Sequence, residues 1–155
     1  MKSEFQEQIT NIVLNWVENN YYPERYREYS IDISYHFSRG RPDIVIDEWF
    51  DKGKQFHKPI STIIEIKSCY MDLTSGYGLN LFGDYNFICY RRDWLSDAEI
   101  DSYMKEHHRL IYAKGYGLIE VLDNGTPVAK RSAPNCSSEH FGYLFARNIG
   151  VIGSD

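Results

Sequence analysis

A mixed α/β (α+β) fold, with a central β-sheet flanked by helices, is predicted by three features of the 155-residue chain. It begins with an amphipathic helical stretch, continues as short β-branched runs bounded by turn residues, and ends in capped-helix and hairpin signals.

Residues 3–19 place Phe5, Ile9, Ile12, Val13 and Trp16 at helical spacing, with Glu4, Glu7, Asn11 and Glu18 elsewhere on the wheel. One face of this helix is expected to be buried. Pro23 and a Tyr/Arg-rich stretch end it. "SIDISYHF", from Ser30, then alternates Ile31, Ile33 and Tyr35 with Asp32, Ser34 and His36, the pattern of a half-covered strand.

"DIVID" over 43–47 and "STIIEIK" over 61–67 are predicted as adjacent antiparallel strands joined by a polar loop over about 48–60. The stretch 72–83 carries Gly76, Gly78 and Gly83 and is compatible with a short helix or an ordered loop. "YNFICY", 85–90, is apolar on both faces, as a strand inside a sheet is. "LSDAEI" starts a helix of about ten residues: Ser96 is its N-cap, Glu99 the capping-box partner, and Leu95 with Ile100 the hydrophobic staple. Asn124-Gly125 then signals a hairpin between 116–122 and 126–131, and Ser137 or Ser138 caps a last helix carrying Phe141, Leu144 and Phe145.

With 43% hydrophobic residues the chain is long enough for one globular domain, spanning 1–155, and too short for two independent cores. A net charge of -5 argues against coating nucleic acid through bulk charge, while leaving room for a local basic rim. Cysteines at 69, 89 and 136 are odd in number and lack C-x-x-C spacing, so neither a disulfide framework nor a zinc site is indicated. A reducing, cytoplasmic location is expected. The first residues lack the apolar centre of a signal peptide, and no apolar run approaches the roughly 18 residues a membrane helix needs. No membrane partner is therefore expected.

The charges in the two central strands form a pattern. If the strands pair so that 43 faces 65, 45 faces 63 and 47 faces 61, then Asp43, Glu65 and Lys67 share one face and Ile44, Ile46, Ile64 and Ile66 the other. Cross-strand carboxylates have Cβ atoms about 5 Å apart and repel unless a cation lies between them. A hard divalent ion, Mg²⁺ or Mn²⁺, would take oxygens from both, with the Ile66 carbonyl as a further ligand. Lys67 would then orient or deprotonate an attacking water, or steady charge on a phosphate.

Pro42-Asp43 followed by Glu65-Ile66-Lys67 resembles the motif of the PD-(D/E)XK nuclease superfamily. "EIKSCYMD", "FGDYNFICYRRD" and "GYGLIEVLDNGTPVAKR" resemble its small MmcB-like DNA-repair nuclease branch, over about 35–135. The resemblance implies a restriction-endonuclease-like core and Mg²⁺-dependent hydrolysis of DNA, or sometimes RNA, leaving a 5′-phosphate. It implies that Asp43 and Glu65 bind metal and that Lys67 acts on the water. Many relatives draw another acid from the first helix, but Glu4, Glu7 and Glu18 lie off its apolar face, with Gln8 the nearest polar residue. The glycines at 76–83 also differ from the branch's charged helix.

Around this centre, Asp72 either supports the site from behind or caps the next segment of the chain. Arg39, Arg41, Arg91 and Arg92 are candidates to grip substrate phosphates, and Tyr77 and Tyr85 are candidates to stack on bases. His107 and His108 fit a helix C-terminus better than a metal site. Cutting both strands of a duplex needs two sites, which makes a homodimer an expectation of this reading. The contrasting reading is a non-catalytic nucleic-acid or protein-binding module with the same fold.

Overall fold

The computed structural model describes residues 4–20, 26–31, 43–49, 59–75, 83–106 and 116–134. The elements are α1 (Glu4–Asn20), β1 (Tyr26–Ile31), β2 (Ile44–Trp49), β3 (Ile60–Ile66), α2 (Tyr70–Thr74), β4 (Tyr85–Arg91), α3 (Asp97–Glu106), β5 (Tyr116–Val121) and β6 (Pro127–Arg131). All six strands form one mixed sheet in sequence order. β1, β2 and β3 are antiparallel, β4 and β5 follow parallel to β3, and β6 returns antiparallel to β5.

The register of the central hairpin is the expected one: Ile44 faces Ile64, Val45 faces Ile63 and Asp47 faces Ser61. Strand alternation therefore sends Ile44, Ile46, Ile64 and Ile66 to one face, where they pack with Ile9, Val13 and Val17 of α1. Tyr85, Phe87 and Cys89 of β4 continue that core. The opposite face carries Ile88, Tyr90, Tyr116 and Leu118, covered by Leu73 of α2 and by Leu95, Ile100 and Tyr103 at and within α3. Each fully buried aliphatic side chain stabilises the fold by about 2 kcal/mol, so this double-sided sheet carries most of the stability. β4, buried from Tyr85 to Tyr90, is the interior strand its composition implied.

α1 differs from expectation at its start. Phe5 is 58% exposed and packs edge-to-face with Trp94, while Val17 joins Ile9 and Val13 in the buried stripe.

Strand β1 begins earlier than expected. The Tyr/Arg-rich stretch, expected to end the helix, forms strand Tyr26–Ile31; of the strand expected from Ser30 to Phe37, Ser30 and Ile31 belong to β1 and the rest lies outside the described residues. Pairing explains why this stretch is extended. Arg27 lies opposite Glu48 and donates to its carboxylate at 3.1 Å, neutralising a side chain that is 1% exposed. Tyr29 reaches across to donate to Glu18 of α1. The same pairing extends β2 through Glu48 and Trp49, which the sequence had assigned to the following loop.

Helix α3 begins as predicted. The Ser96 N–H donates to Glu99 Oε1 and the Glu99 N–H donates to Ser96 Oγ, both at 3.1 Å, with Leu95 and Ile100 buried beneath. The β5–β6 turn is closed by the Gly125 N–H donating to the Leu122 carbonyl at 2.8 Å. Gly125 has φ of 85°, a conformation that favours glycine. Of the 72–83 stretch, the start belongs to the short helix α2. Residues 76–82, the His107-His108 pair and the last predicted helix lie outside the described residues.

Candidate functional site

Asp43 stands one residue before β2 and Lys67 one residue after β3, with Glu65 near the end of β3. The β2–β3 register and the pairing of Glu65 with Ile88 put these side chains on the α2/α3 side of the sheet. Asp43 Oδ2 accepts the Ile66 N–H at 2.8 Å. That amide points toward β2 at the point where β2 begins, so the Asp43 carboxylate replaces the missing ladder acceptor. The bond fixes Asp43 at the mouth of the hairpin, beside Glu65.

Glu65 is only 4% exposed, and its Oε1 has no hydrogen-bond partner among the described residues. Burial is the largest reason its pKa is pushed up to about 9, and the Asp43 charge adds to it; the Lys67 ammonium works in the opposite direction. Two carboxyl groups in this arrangement do not both ionise readily unless a cation joins them. The pair, with one buried and unsatisfied oxygen, has the hard-oxygen chemistry that suits Mg²⁺ or Mn²⁺. Among the described residues no group of three His, Cys, Asp or Glu side chains is placed to hold a metal. The Ile66 carbonyl would be an additional oxygen contributed by the backbone between Glu65 and Lys67.

Lys67 is also buried, at 2% exposure, and its N–H donates to the Cys89 carbonyl at 2.9 Å, which locks it to β4. Its Nζ lies 3.6 Å from Asp72 Oδ1. Asp72 Oδ2 meanwhile accepts the Ser68 N–H at 3.0 Å and the Ser68 hydroxyl at 3.2 Å. Asp72 therefore binds the ammonium with one oxygen and the Lys67–Ser68 backbone with the other. Ser68 and Cys69 are exposed, so this end of the site meets solvent.

The four arginines separate. Arg39 and Arg41 lie outside the described residues. Arg91 follows Cys89 on the α1 side of β4, where its guanidinium stands over Trp94 at 5.4 Å and forks onto Asp93 at 2.8 and 3.0 Å. That fork leaves it facing away from Glu65. Arg92 donates one nitrogen to Glu120 Oε1 at 2.9 Å and stays 54% exposed. Of the two aromatic candidates, Tyr85 is fully buried in the α1-side core and Tyr77 lies outside the described residues.

On α1, Glu4, Glu7 and Gln8 are exposed and Glu18 accepts from Tyr29. The helix packs on the isoleucine face, across the sheet from Glu65.

Glu120 was missed by sequence reasoning. It is 1% exposed, pairs in register with Tyr90, and holds both Arg92 and, at 3.9 Å, Lys130. A lone acid inside the apolar run "GLIEVL" is the same signal that marked Glu65 in "IIEIK". Asp47, at the far end of the hairpin, was missed too. It accepts the Ser61 hydroxyl at 2.5 Å while Asp84 accepts the Ser61 N–H at 2.8 Å. Burial raises the Asp47 pKa against the lowering effect of Ser61. This set clasps the start of β3 to the turn before β4.

Compared with protein-family models, curated proteins and solved structures, the chain matches none.

Proposed function

We propose that this protein is a divalent-metal-dependent nuclease built on a restriction-endonuclease-like core, hydrolysing phosphodiester bonds of nucleic acid, with DNA as its substrate. The observation that carries the reading is the geometry of the Asp43–Glu65 pair: Asp43 is fixed on the Ile66 N–H beside a buried Glu65 whose Oε1 has no hydrogen-bond partner among the described residues, and burial with the Asp43 charge pushes the Glu65 pKa up. Two carboxyl groups so placed ionise together only at a cost, which a bound divalent cation would offset. The motif resemblance and the α+β sheet with helices on both faces support the same reading.

In this reading Asp43 and Glu65 hold Mg²⁺ or Mn²⁺ together with the Ile66 carbonyl, and the ion supplies Lewis-acid polarisation of the phosphate. Lys67, buried and held by Asp72, presents its ammonium where it orients the attacking water or steadies the charge that develops on the phosphate. Water adds at phosphorus, the P–O3′ bond breaks, and the products are a 5′-phosphate and a 3′-hydroxyl that takes up the proton. Burial of Glu65 and Lys67 keeps these charges in a low-dielectric setting, where they act more strongly than at an open surface.

Incubation with a panel of DNA and RNA structures tests this. Cleavage is expected in Mg²⁺ or Mn²⁺, with loss in EDTA and a fall of at least about a hundredfold in Asp43→Asn, Glu65→Gln and Lys67→Ala. Cutting that persists in Asp43→Ala and Lys67→Ala alike would remove the assignment of the site. A protein that binds nucleic acid and cuts none of the panel would instead be a binding module.

A further inference from the structure

We infer that Arg92, anchored on the buried carboxylate of Glu120, grips a backbone phosphate of the bound nucleic acid beside the Asp43–Glu65–Lys67 centre. The inference rests on the nucleic-acid part of the proposed function and adds a binding position that the motif does not contain.

Placement is the first support. β3, β4 and β5 run parallel, so their C-terminal ends lie together at one edge of the sheet. Lys67 leaves β3 there, Arg92 leaves β4, and Glu120 is the penultimate residue of β5. The register Tyr90 to Glu120, with the Lys67 N–H on the Cys89 carbonyl, puts Lys67, Tyr90 and Glu120 in one row across the same face. The Arg92 N–H donates to the Val121 carbonyl at 3.0 Å, which fixes the backbone from which its side chain departs.

The second support is the asymmetry of the ion pair. The Glu120 side chain is 1% exposed and that of Arg92 is 54% exposed, with a single nitrogen engaged at 2.9 Å. A guanidinium has five N–H donors in a fixed fork, so one edge is held while the rest faces solvent, oriented and ready for a phosphate oxygen. Neighbouring cations are committed otherwise. Arg91 is forked onto Asp93, and Lys130 is divided between Glu120 at 3.9 Å and Asp97 at 3.4 Å. Tyr90 lies against Glu120 as a neutral phenol, its pKa raised by burial and then by the Glu120 charge, and adds no competing charge. Glu120 is thus a positioning residue, acting through Arg92.

Binding of a fluorescein-labelled DNA duplex in EDTA, read by anisotropy across a salt series, tests the assignment without cleavage. Arg92→Ala is expected to weaken binding about tenfold and to lower the salt slope by about 0.9, one phosphate contact. Arg91→Ala is expected to change neither. Glu120→Gln is the sharper test, because it removes a negative charge and general electrostatics would tighten binding. Loss of the anchor weakens it instead, and a wild-type melting profile shows that the fold is intact. Unchanged binding in Arg92→Ala, tighter binding in Glu120→Gln, or no binding by the wild-type protein would each overturn the inference. Arg92 sits on the surface, so its variant decides the matter even if Glu120→Gln fails to fold. An Arg92-dependent binder that never cuts keeps this inference and loses the nuclease reading; a metal-dependent nuclease indifferent to Arg92 does the reverse.

Discussion

Asp72 Oδ1 lies 3.6 Å from Lys67 Nζ while Asp72 Oδ2 takes both the N–H and the hydroxyl of Ser68. One carboxylate therefore sets the direction of the ammonium and the path of the chain that leaves β3. The two roles separate by substitution. Asp72→Asn keeps an oxygen for Ser68 and loses the ion pair, so the cleavage rate is expected to fall about tenfold with substrate affinity retained. Asp72→Ala releases the Ser68 backbone as well and is expected to fall further. Single-turnover cleavage beside DNA binding in EDTA distinguishes these outcomes; equal rates in wild type and Asp72→Asn would mean that Lys67 needs no such support.

The residues that were legible in the sequence are those whose placement follows from local periodicity. Two short apolar runs on either side of one loop have few registers that bury all four isoleucines, so the positions of Asp43, Glu65 and Lys67 came with the hairpin. Ser96 and Glu99 likewise carry a local signal, since each bonds within its own helical turn. The early start of β1 was not legible, because nothing local in "YREYSI" shows that the buried carboxylate of Glu48 needs Arg27 opposite it. Arg91 and Arg92 differ for a similar reason. Alternation puts adjacent residues on opposite sides, but only tertiary structure shows that Asp93 takes one and Glu120 the other.

Glu65 also makes stability depend on pH. Its folded pKa of about 9 stands above the ordinary 4.5, so the folded protein binds more protons than the unfolded one between those values. The contribution is fully present below pH 4.5 and is lost as pH rises toward 9. In EDTA the melting temperature of the wild type is expected to drop across this window. Glu65→Gln, which stays neutral, is expected to flatten that drop. A melting curve that falls equally in both proteins would assign the pH dependence to other groups.

A divalent ion is expected to reverse the effect, because it replaces the proton as the partner of the two carboxylates. At a concentration about a hundredfold above its Kd, binding stabilises the folded state by about 2.7 kcal/mol, which for a chain of this size raises the melting temperature by roughly 5–10 °C. Proton competition at Glu65 makes the rise larger at pH 8 than at pH 6. Scanning calorimetry with Mg²⁺ or Mn²⁺ measures it, and the rise should disappear in Asp43→Asn. A shift of equal size in that variant would place the ion elsewhere.

Gly117 tests how tightly the scaffold is packed at the start of β5. A Cβ at this position in β5 would lie 2.5 Å from Phe87 Cε1 and 2.7 Å from the Ala133 backbone nitrogen. Phe87 is completely buried and Ala133 is 4% exposed, so neither has open space into which to retreat. Overpacking of this kind costs about 1–3 kcal/mol, and contact with a buried ring on one side and backbone on the other puts Gly117→Ala toward the upper end. Urea denaturation is expected to show the lower midpoint with an unchanged m-value. Gly117 is paired with Phe87, one residue before Ile88, which is opposite Glu65, so a strain that spreads along β4 reaches the carboxylate pair. The same variant should therefore lose metal-induced stabilisation if the sheet yields, and keep it in full if the strain stays between β5 and the Ala133 segment.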